Sequence, residues 1–401
     1  MDLTEAGCFV LSRMERVWMK KRRTGIAIGA VVIGAAAFTI AALCLGWFRS
    51  ADNSDPSGTG GNRSEVTSTP AADPTAAATP AGNDSGNSVG TGKFKNENDY
   101  IVMTGSISPA SERRIPKETL RCETPDFTKA KEGGLTVTWF GHSASLVQLG
   151  TVNILIDPVF GDRTSPVSFA GPKRFAERPV TAESLPDIDV LILSHDHYDH
   201  TEESTIRATA DKVKHYVVPL GVDELLAGWG IPRERITALD WWDETTIDGV
   251  TYALTPSQHN SGRGPVGMDT LWGGVYFRDG AHSVYYTGDG GYYDVFTRVY
   301  GRYGAPDLML VECGQYDPGW AMTHMFPEQS AQAAADVHAK WVIPVHWGAY
   351  SLCNTAWDDS IIRMSAAAET KGLNLATPRI GQTVEYDEIA NYREKWWEAY
   401  D

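Results

Sequence analysis

Cysteine is scarce in this chain and carries no pattern. Cys8, Cys44, Cys122, Cys313 and Cys353 form no C-x-x-C pair and no zinc-knuckle spacing, which excludes a disulfide framework and a thiolate metal knuckle. At most one bridge can form, among the last three. Basic charge is also in short supply: 35 Lys and Arg face 51 Asp and Glu. Beyond residue 49 the balance is 28 basic to 48 acidic, a net of −20. Such a surface speaks against a nucleic-acid partner, whose affinity comes largely from neutralised phosphates. No internal repeat stands out.

Residues 50–94 lack large apolar side chains almost entirely, being built of Ser, Thr, Gly, Pro, Ala, Asn and Asp. A segment of that kind cannot bury enough surface to offset the entropy of ordering it, and it reads as a disordered tether. Just before it, Gly25–Phe48 is apolar and uncharged, long enough for a bilayer that needs about 20 residues. Lys20, Lys21, Arg22 and Arg23 precede this run, while Arg49, Asp52 and Asp55 follow it. The positive-inside rule puts the N-terminus in the cytoplasm and the rest outside. A cleaved signal peptide is the alternative, but the run exceeds a usual apolar core of about 7–15 residues. The expected organisation is a basic cytoplasmic segment (1–23), a transmembrane signal anchor (24–48), a linker (49–94) and a globular domain (95–401). With 42% apolar residues in the chain as a whole and eleven of its thirteen Trp in that domain, there are the means to build a large core.

What the chain has in concentration is metal-ligand chemistry. Ser194-His195-Asp196-His197-Tyr198-Asp199-His200 directly follows the apolar run 188–193. Residues two apart on an extended segment share a side, so His195 and His197 converge, while Asp199 and His200 follow at a turn. Imidazole with carboxylate is the ligand set of catalytic zinc. A solvent-facing polar loop would not need three His and two Asp in six residues.

From about residue 135 the pattern is α/β. Leu135–Gly150 and Thr151–Ile156 read as two strands joined by a tight turn. Strand-like runs recur at 188–193, 216–219, 250–255, 271–277, 284–287, 308–311 and 341–345, with helical stretches at 328–339 and 358–372. This distribution fits two packed sheets with helices outside better than a doubly wound sheet. Further candidate ligands end three of these runs: His259 in Thr-Pro-Ser-Gln-His, Asp289 in Thr-Gly-Asp-Gly-Gly, and His346 in Pro-Val-His-Trp-Gly. Strand C-terminal ends are the usual place for α/β sites. Trp241 and Trp242 are candidates for an acyl groove, although neighbours on a strand face opposite ways and core packing is the simpler role.

Over about residues 120–385 the chain resembles the metallo-β-lactamase superfold. Within it, the N-acylphosphatidylethanolamine phospholipase D group and its bacterial relatives match best, and ascorbate-6-phosphate lactonases less well. The motifs that carry this are Thr-Trp-Phe-Gly-His-Ser (138–143), Ile-Asp-Pro-Val-Phe (156–160), Gly-Pro-Lys-Arg-Phe (171–175), the His-x-His-x-Asp-His cluster, Leu-Asp-Trp-Trp (239–242), Thr-Gly-Asp-Gly-Gly-Tyr (287–292) and Ile-Pro-Val-His-Trp-Gly (343–348). The resemblance implies an αββα sandwich and two Zn²⁺ per chain. One zinc would lie on His195, His197 and His259, the other on Asp199, His200 and His346, with Asp289 bridging and a shared hydroxide as nucleophile. It implies a substrate-side role for His324, as a phosphate contact or an acid for the leaving alcohol. His142 and Asp157 match motifs but read as residues that orient ligands or shape turns. Thr323 stands where the mammalian enzyme of the group has a polar amide, and Phe326 where it has an acid.

The implied function is a membrane-anchored zinc phosphodiesterase of phospholipase D type acting on N-acylphosphatidylethanolamine-like lipids. A zinc lactonase or amidase is the alternative, since the same nucleophile attacks carbonyl carbon. A noncatalytic metal-binding module is the third reading. His215, His282 and His338 have no motif around them and read as ordinary residues.

Overall fold

Thirteen strands form two sheets in the computed structural model, which describes residues 92–98, 106–263 and 267–400. The first sheet has the order β13-β1-β2-β3-β4-β5-β6. Its strands are β1 (Leu135–Trp139), β2 (Ser145–Leu149), β3 (Val152–Ile156), β4 (Ile188–Ile192), β5 (Val213–Pro219), β6 (Ile236–Leu239) and β13 (Thr383–Glu385). The second sheet is ordered β12-β11-β10-β9-β8-β7. It comprises β7 (Glu244–Ile247), β8 (Val250–Thr255), β9 (Gly274–Arg278), β10 (Ser283–Tyr286), β11 (Leu308–Glu312) and β12 (Trp341–Val345). β3 to β6 are parallel, as are β10 to β12, and the remaining pairs are antiparallel.

The period of two along each strand builds the layers. Val147, Ile154, Val190 and Ile192 point from the first sheet into one core with Tyr252, Phe277, Val284 and Leu310 of the second. Their neighbours Leu146, Leu155 and Leu191 point the other way, onto Ile206, Val222 and Leu226 of the helices Glu203–Thr209 and Val222–Gly228. The first sheet is therefore covered on both faces, which is why its parallel strands are mainly apolar, with Asn153, Asp189, Lys214 and His215 as polar exceptions near their starts. Helix Pro327–Asp336 packs on β11 and on helix Asp359–Lys371. Each fully buried aliphatic side chain contributes about 1.5–3 kcal/mol.

The two-sheet arrangement with helices outside matches the expectation, with several corrections. The run 135–150 is two strands, because Gly141 and His142 both adopt positive φ (88° and 54°) and reverse the chain. This turn carries His142 to the second sheet, where its N–H donates to the Trp347 carbonyl (2.7 Å) and its carbonyl accepts from His346 N–H (2.9 Å). Trp241 and Trp242 lie in the turn between β6 and β7, with Trp242 at φ 71°, and not on a strand. Both pack against the core. β6, β7, β13 and three helices, including Val295–Tyr303, were not expected from the sequence. Cys122, Cys313 and Cys353 are free thiols. The expected cytoplasmic segment, signal anchor and nearly all of the linker lie outside the described residues. Among the described residues no helix is long and apolar enough to cross a membrane.

Candidate metal centre

β8 and β10 run in the same direction, both being antiparallel to β9, and β10, β11 and β12 are mutually parallel. The C-terminal ends of β8, β10, β11 and β12 thus share one edge of the second sheet. His259 follows β8, Asp289 follows β10, Glu312 ends β11 and His346 follows β12. Facing them is the loop after β4. Backbone N–H groups of His200 and Thr201 donate to the His197 carbonyl (3.1 and 2.8 Å), and the Thr201 hydroxyl donates to the His195 carbonyl (2.6 Å). The resulting turn brings His195, His197, Asp199 and His200 to the same site, with the His195 and His200 rings 4.2 Å apart.

The donor atoms gather in four overlapping groups: Asp289 with His195 and His200, Asp289 with Glu312, His324 and His346, and two that share no member. His195, His197 and His259 form the first of these two: His197 Nδ1 lies 3.0 Å from His195 Nε2 and 3.3 Å from His259 Nε2. His142, Asp199, His200 and His346 form the second, with Asp199 Oδ2 at 3.4 Å from His200 Nε2 and 3.3 Å from His346 Nε2. Asp289 Oδ2 lies between the groups, 3.0 Å from His200 Nε2, 3.3 Å from His346 Nε2, and 3.8 Å from both His195 Nε2 and His259 Nε2. All seven candidate ligands named from the sequence meet in this one place.

The rear nitrogens show what the front ones are for. His259 Nδ1 faces the Thr323 carbonyl (2.9 Å), His346 Nδ1 the Gly314 carbonyl (3.1 Å), and His200 Nδ1 the Asp157 carboxylate (2.7 Å). An imidazole that donates from Nδ1 presents a lone pair at Nε2. Those lone pairs point at each other or at carboxylate oxygens, which are acceptors too. Asp289 Oδ1 and His200 Nε2 are buried with no hydrogen-bond partner. Acceptors gathered around acceptors in a buried site call for a cation, and nitrogen with carboxylate oxygen is a divalent-metal donor set.

Electrostatics agree. Burial holds the His195 and His259 imidazoles well below their ordinary proton affinity, and burial with the nearby His346 lowers His142 to about 4. Burial opposes charge on His200 too, but Asp289 and Asp199 outweigh it and raise that histidine well above the usual range. Asp199 and Asp289 stay well below the carboxylate range despite burial, chiefly through His200. A proton on His200 and a metal ion therefore compete for the same carboxylates, as expected where binding releases protons.

Asp157 sits behind the donors, and His142, within the second group, abuts Asp199. His142 Nε2 meets Asp199 Oδ2 at 2.9 Å. Asp157, at φ 38°, accepts from the Ser194 N–H and hydroxyl, from His200 and from the Tyr286 hydroxyl. His324 stacks on His346 with rings 9° from parallel and lines an open cavity of about 180 Å³ beside His197, His259 and Asp289. Thr323 also lines it, whereas Phe326 packs on Tyr316. His215, His282 and His338 lie elsewhere, and Trp241 and Trp242 do not line the cavity. Sequence reading missed Glu312, a buried carboxylate that faces His324 Nδ1 at 3.0 Å and accepts from Met325 N–H (2.9 Å) and Gly290 N–H (3.2 Å). Its one signal is a charge closing the apolar run 308–311.

Comparison with known proteins places the arrangement. Residues 152–347 match the family model of the beta-lactamase superfamily domain. An uncharacterised protein of Mycobacterium tuberculosis is 36% identical over 274 residues, 67% of this chain and 74% of that protein. The N-acyl-phosphatidylethanolamine-hydrolyzing phospholipase D 1 of Caenorhabditis elegans is 33% identical over 270 residues, 63% of this chain and 76% of that one. In fold, the crystal structure of an isothiocyanate hydrolase from Delia radicum gut bacteria superposes with a TM-score of 0.51, at 20% identity, over 62% of this chain and 98% of that one.

Proposed function

Because this chain belongs to the metallo-β-lactamase superfamily, in the group that includes the N-acyl-phosphatidylethanolamine-hydrolysing phospholipases D, we propose that it is a dinuclear zinc phosphodiesterase acting on N-acylphosphatidylethanolamine-like lipids. The observation that carries the two-ion reading is the pair of donor groups flanking Asp289. His195, His197 and His259 would hold one zinc, Asp199, His200 and His346 the other, and Asp289 both. When bound, the pair supplies a nucleophilic water at neutral pH and a Lewis acid for phosphoryl oxygen.

The chain's own residues account for the rest. Hydrolysis adds water to phosphorus and breaks one P–O bond, and the departing alkoxide needs a proton. Glu312 occupies His324 Nδ1, which leaves Nε2 as the nitrogen for a phosphoryl oxygen or the leaving alcohol. His142 and Asp157 fix the carboxylate and imidazole behind them. We place the domain outside the cytoplasmic membrane, anchored by residues 25–48, on the strength of that run and its basic N-terminal flank.

The test compares the zinc-loaded full chain on vesicles containing N-acylphosphatidylethanolamine, on acyl lactones and on a chromogenic cephalosporin. Phosphodiester cleavage should be fastest. Faster turnover of a lactone or β-lactam would overturn the assignment. His324→Ala should leave zinc content unchanged and cost roughly 10²–10⁴-fold with an alkyl leaving group, less with nitrophenolate. For the location, protease added to intact cells should release an active fragment by cutting between residues 50 and 91. A domain protected until the membrane is permeabilised would reverse the orientation.

A further inference from the structure

We infer that Gly92–Asn98, the segment where the tether meets the domain, is a working part of the metal centre, and that Asn96 is a positioning residue for His259. The inference rests on the reading of His259 as a metal ligand. β8 ends at Thr255, and beyond it one isolated bridge joins Gln258 to Gly291, with Gly291 N–H donating to the Gln258 carbonyl at 2.9 Å. The sheet's pairing therefore stops one residue before the ligand. At that point Asn96 takes over. Its Oδ1 accepts from His259 N–H (2.9 Å) and its Nδ2 donates to the His259 carbonyl (2.6 Å). One carboxamide thus engages both backbone groups of the same residue, as a further rung of a β-ladder would. Holding the peptides on both sides of the His259 Cα fixes the direction of its Cα–Cβ bond, and with it the reach of Nε2.

The segment grips the other side of the imidazole as well. Asn98 Nδ2 donates to Gln258 Oε1 (3.2 Å), and Gln258 Nε2 donates to the Met322 carbonyl (3.0 Å). The next carbonyl, that of Thr323, faces His259 Nδ1. The His259 backbone is therefore held directly by Asn96, and its ring indirectly, through Gln258 and the 322–323 backbone. The segment itself is seated firmly. Phe94 N–H donates to the Met268 carbonyl (3.0 Å), and Glu97 accepts from Arg298 Nη1 (3.1 Å) and the Tyr293 hydroxyl (3.1 Å). Gly92 lies so close to 267–268 that a Cβ there would come within 2.5 Å of the Gly267 carbonyl oxygen. These contacts extend the metal-binding unit to residue 92, and they begin 60 residues before the stretch that matches the family model.

The experiment uses the full chain loaded with zinc, with metal content followed during challenge by a competing chelator. Asn96→Ala should weaken one of the two metals by about 10–100-fold, the scale for residues that orient a ligand, and leave the other in place. Excess zinc should restore activity, and the unfolding midpoint of the metal-free protein should stay near wild type. Asn96→Ser, which keeps a short polar group, should fall between Asn96→Ala and wild type and serves if the alanine variant does not fold. His259→Ala sets the scale. If it loses one metal while the Asn96 variants hold both as tightly as wild type, the positioning role is overturned. If His259→Ala itself keeps both metals, the ligand reading fails and the inference falls with it. A drop in metal-free stability that zinc does not rescue would also overturn it, because that is what a purely structural contact would produce.

Discussion

His197 and His259 are placed by loop contacts, whereas Asp199, His200 and His346, and His195 through Ser194, are held by groups at the ends of the sheets. In the first group, His259 depends on Asn96 and the Thr323 carbonyl, and His197 is only partly buried. In the second, His200 rests on Asp157 directly after β3, His346 on the Gly314 carbonyl just beyond β11, and Asp199 on His142, which bridges the two sheets. Strand ends sit within a packed core and lose little freedom when an ion arrives, while loops pay for ordering. The two metal positions should differ in how firmly they retain an ion, the second being the firmer.

The largest effect should come from Asp289, the one side chain common to both groups. Asp289→Asn should lower turnover at least a hundredfold, about 2.7 kcal/mol of transition-state stabilisation, with far-ultraviolet circular dichroism unchanged. A variant keeping more than a tenth of wild-type turnover would show that the groups do not share this residue. Next, Asp157→Asn should weaken the metal of the second group, whose His200 it holds directly, by roughly 10–100-fold and the first, which it reaches only through Ser194 and His195, by less, which a two-step chelator titration would resolve. Equal weakening of both steps would erase the proposed difference. In the wild-type protein, mild chelation should then strip the first group earlier: His197→Ala should keep one tightly held ion, and His346→Ala should keep one that leaves more readily. The reverse order would invert the comparison.

The smallest effect lies outside both groups. Burial works against charge on Asp317, yet donors from Ser106, Ile107, Ser108 and Gly319 hold its carboxyl well below the usual range. A depressed carboxyl contributes stability in full above its unfolded value, and that contribution fades as pH falls through the folded one. Residues 106–108 should therefore loosen in acid, seen as faster amide exchange at Ile107 and Ser108 while β11 stays protected. Asp317→Asn should remove the pH dependence.

The candidate ligands were legible because they gather behind four apolar runs and because five histidines and two aspartates form motifs. Their supports were not. Glu312 reads as the end of a strand, Asn96 as one more polar residue after a polar tether, and the Thr323 and Gly314 carbonyls carry no side-chain signal at all. The long buried strands β4, β8 and β12 could be read from periodicity. β13 has three residues and exists because β1 pairs with it. The reversal at Gly141–His142 was hidden because apolar residues alternate with small or polar ones on either side of it. Trp241 and Trp242 read as strand residues because aromatics favour strands, yet the turn before β7 sets their place.

Trp347, next in sequence to a candidate ligand, stacks on Trp139 at 5.2 Å and on Trp396 at 5.3 Å, both within 26° of parallel. Trp139 in turn donates its indole N–H to the His142 carbonyl at 2.7 Å. Three stacked chromophores in fixed orientation make an optical gauge, since near-ultraviolet circular dichroism depends on rigid side-chain packing. Any shift of His346 as an ion comes or goes will tilt Trp347 within the stack. The stack should thus give a spectroscopic readout of the second proposed metal position, as a change in the near-ultraviolet band on adding zinc that Trp347→Phe removes.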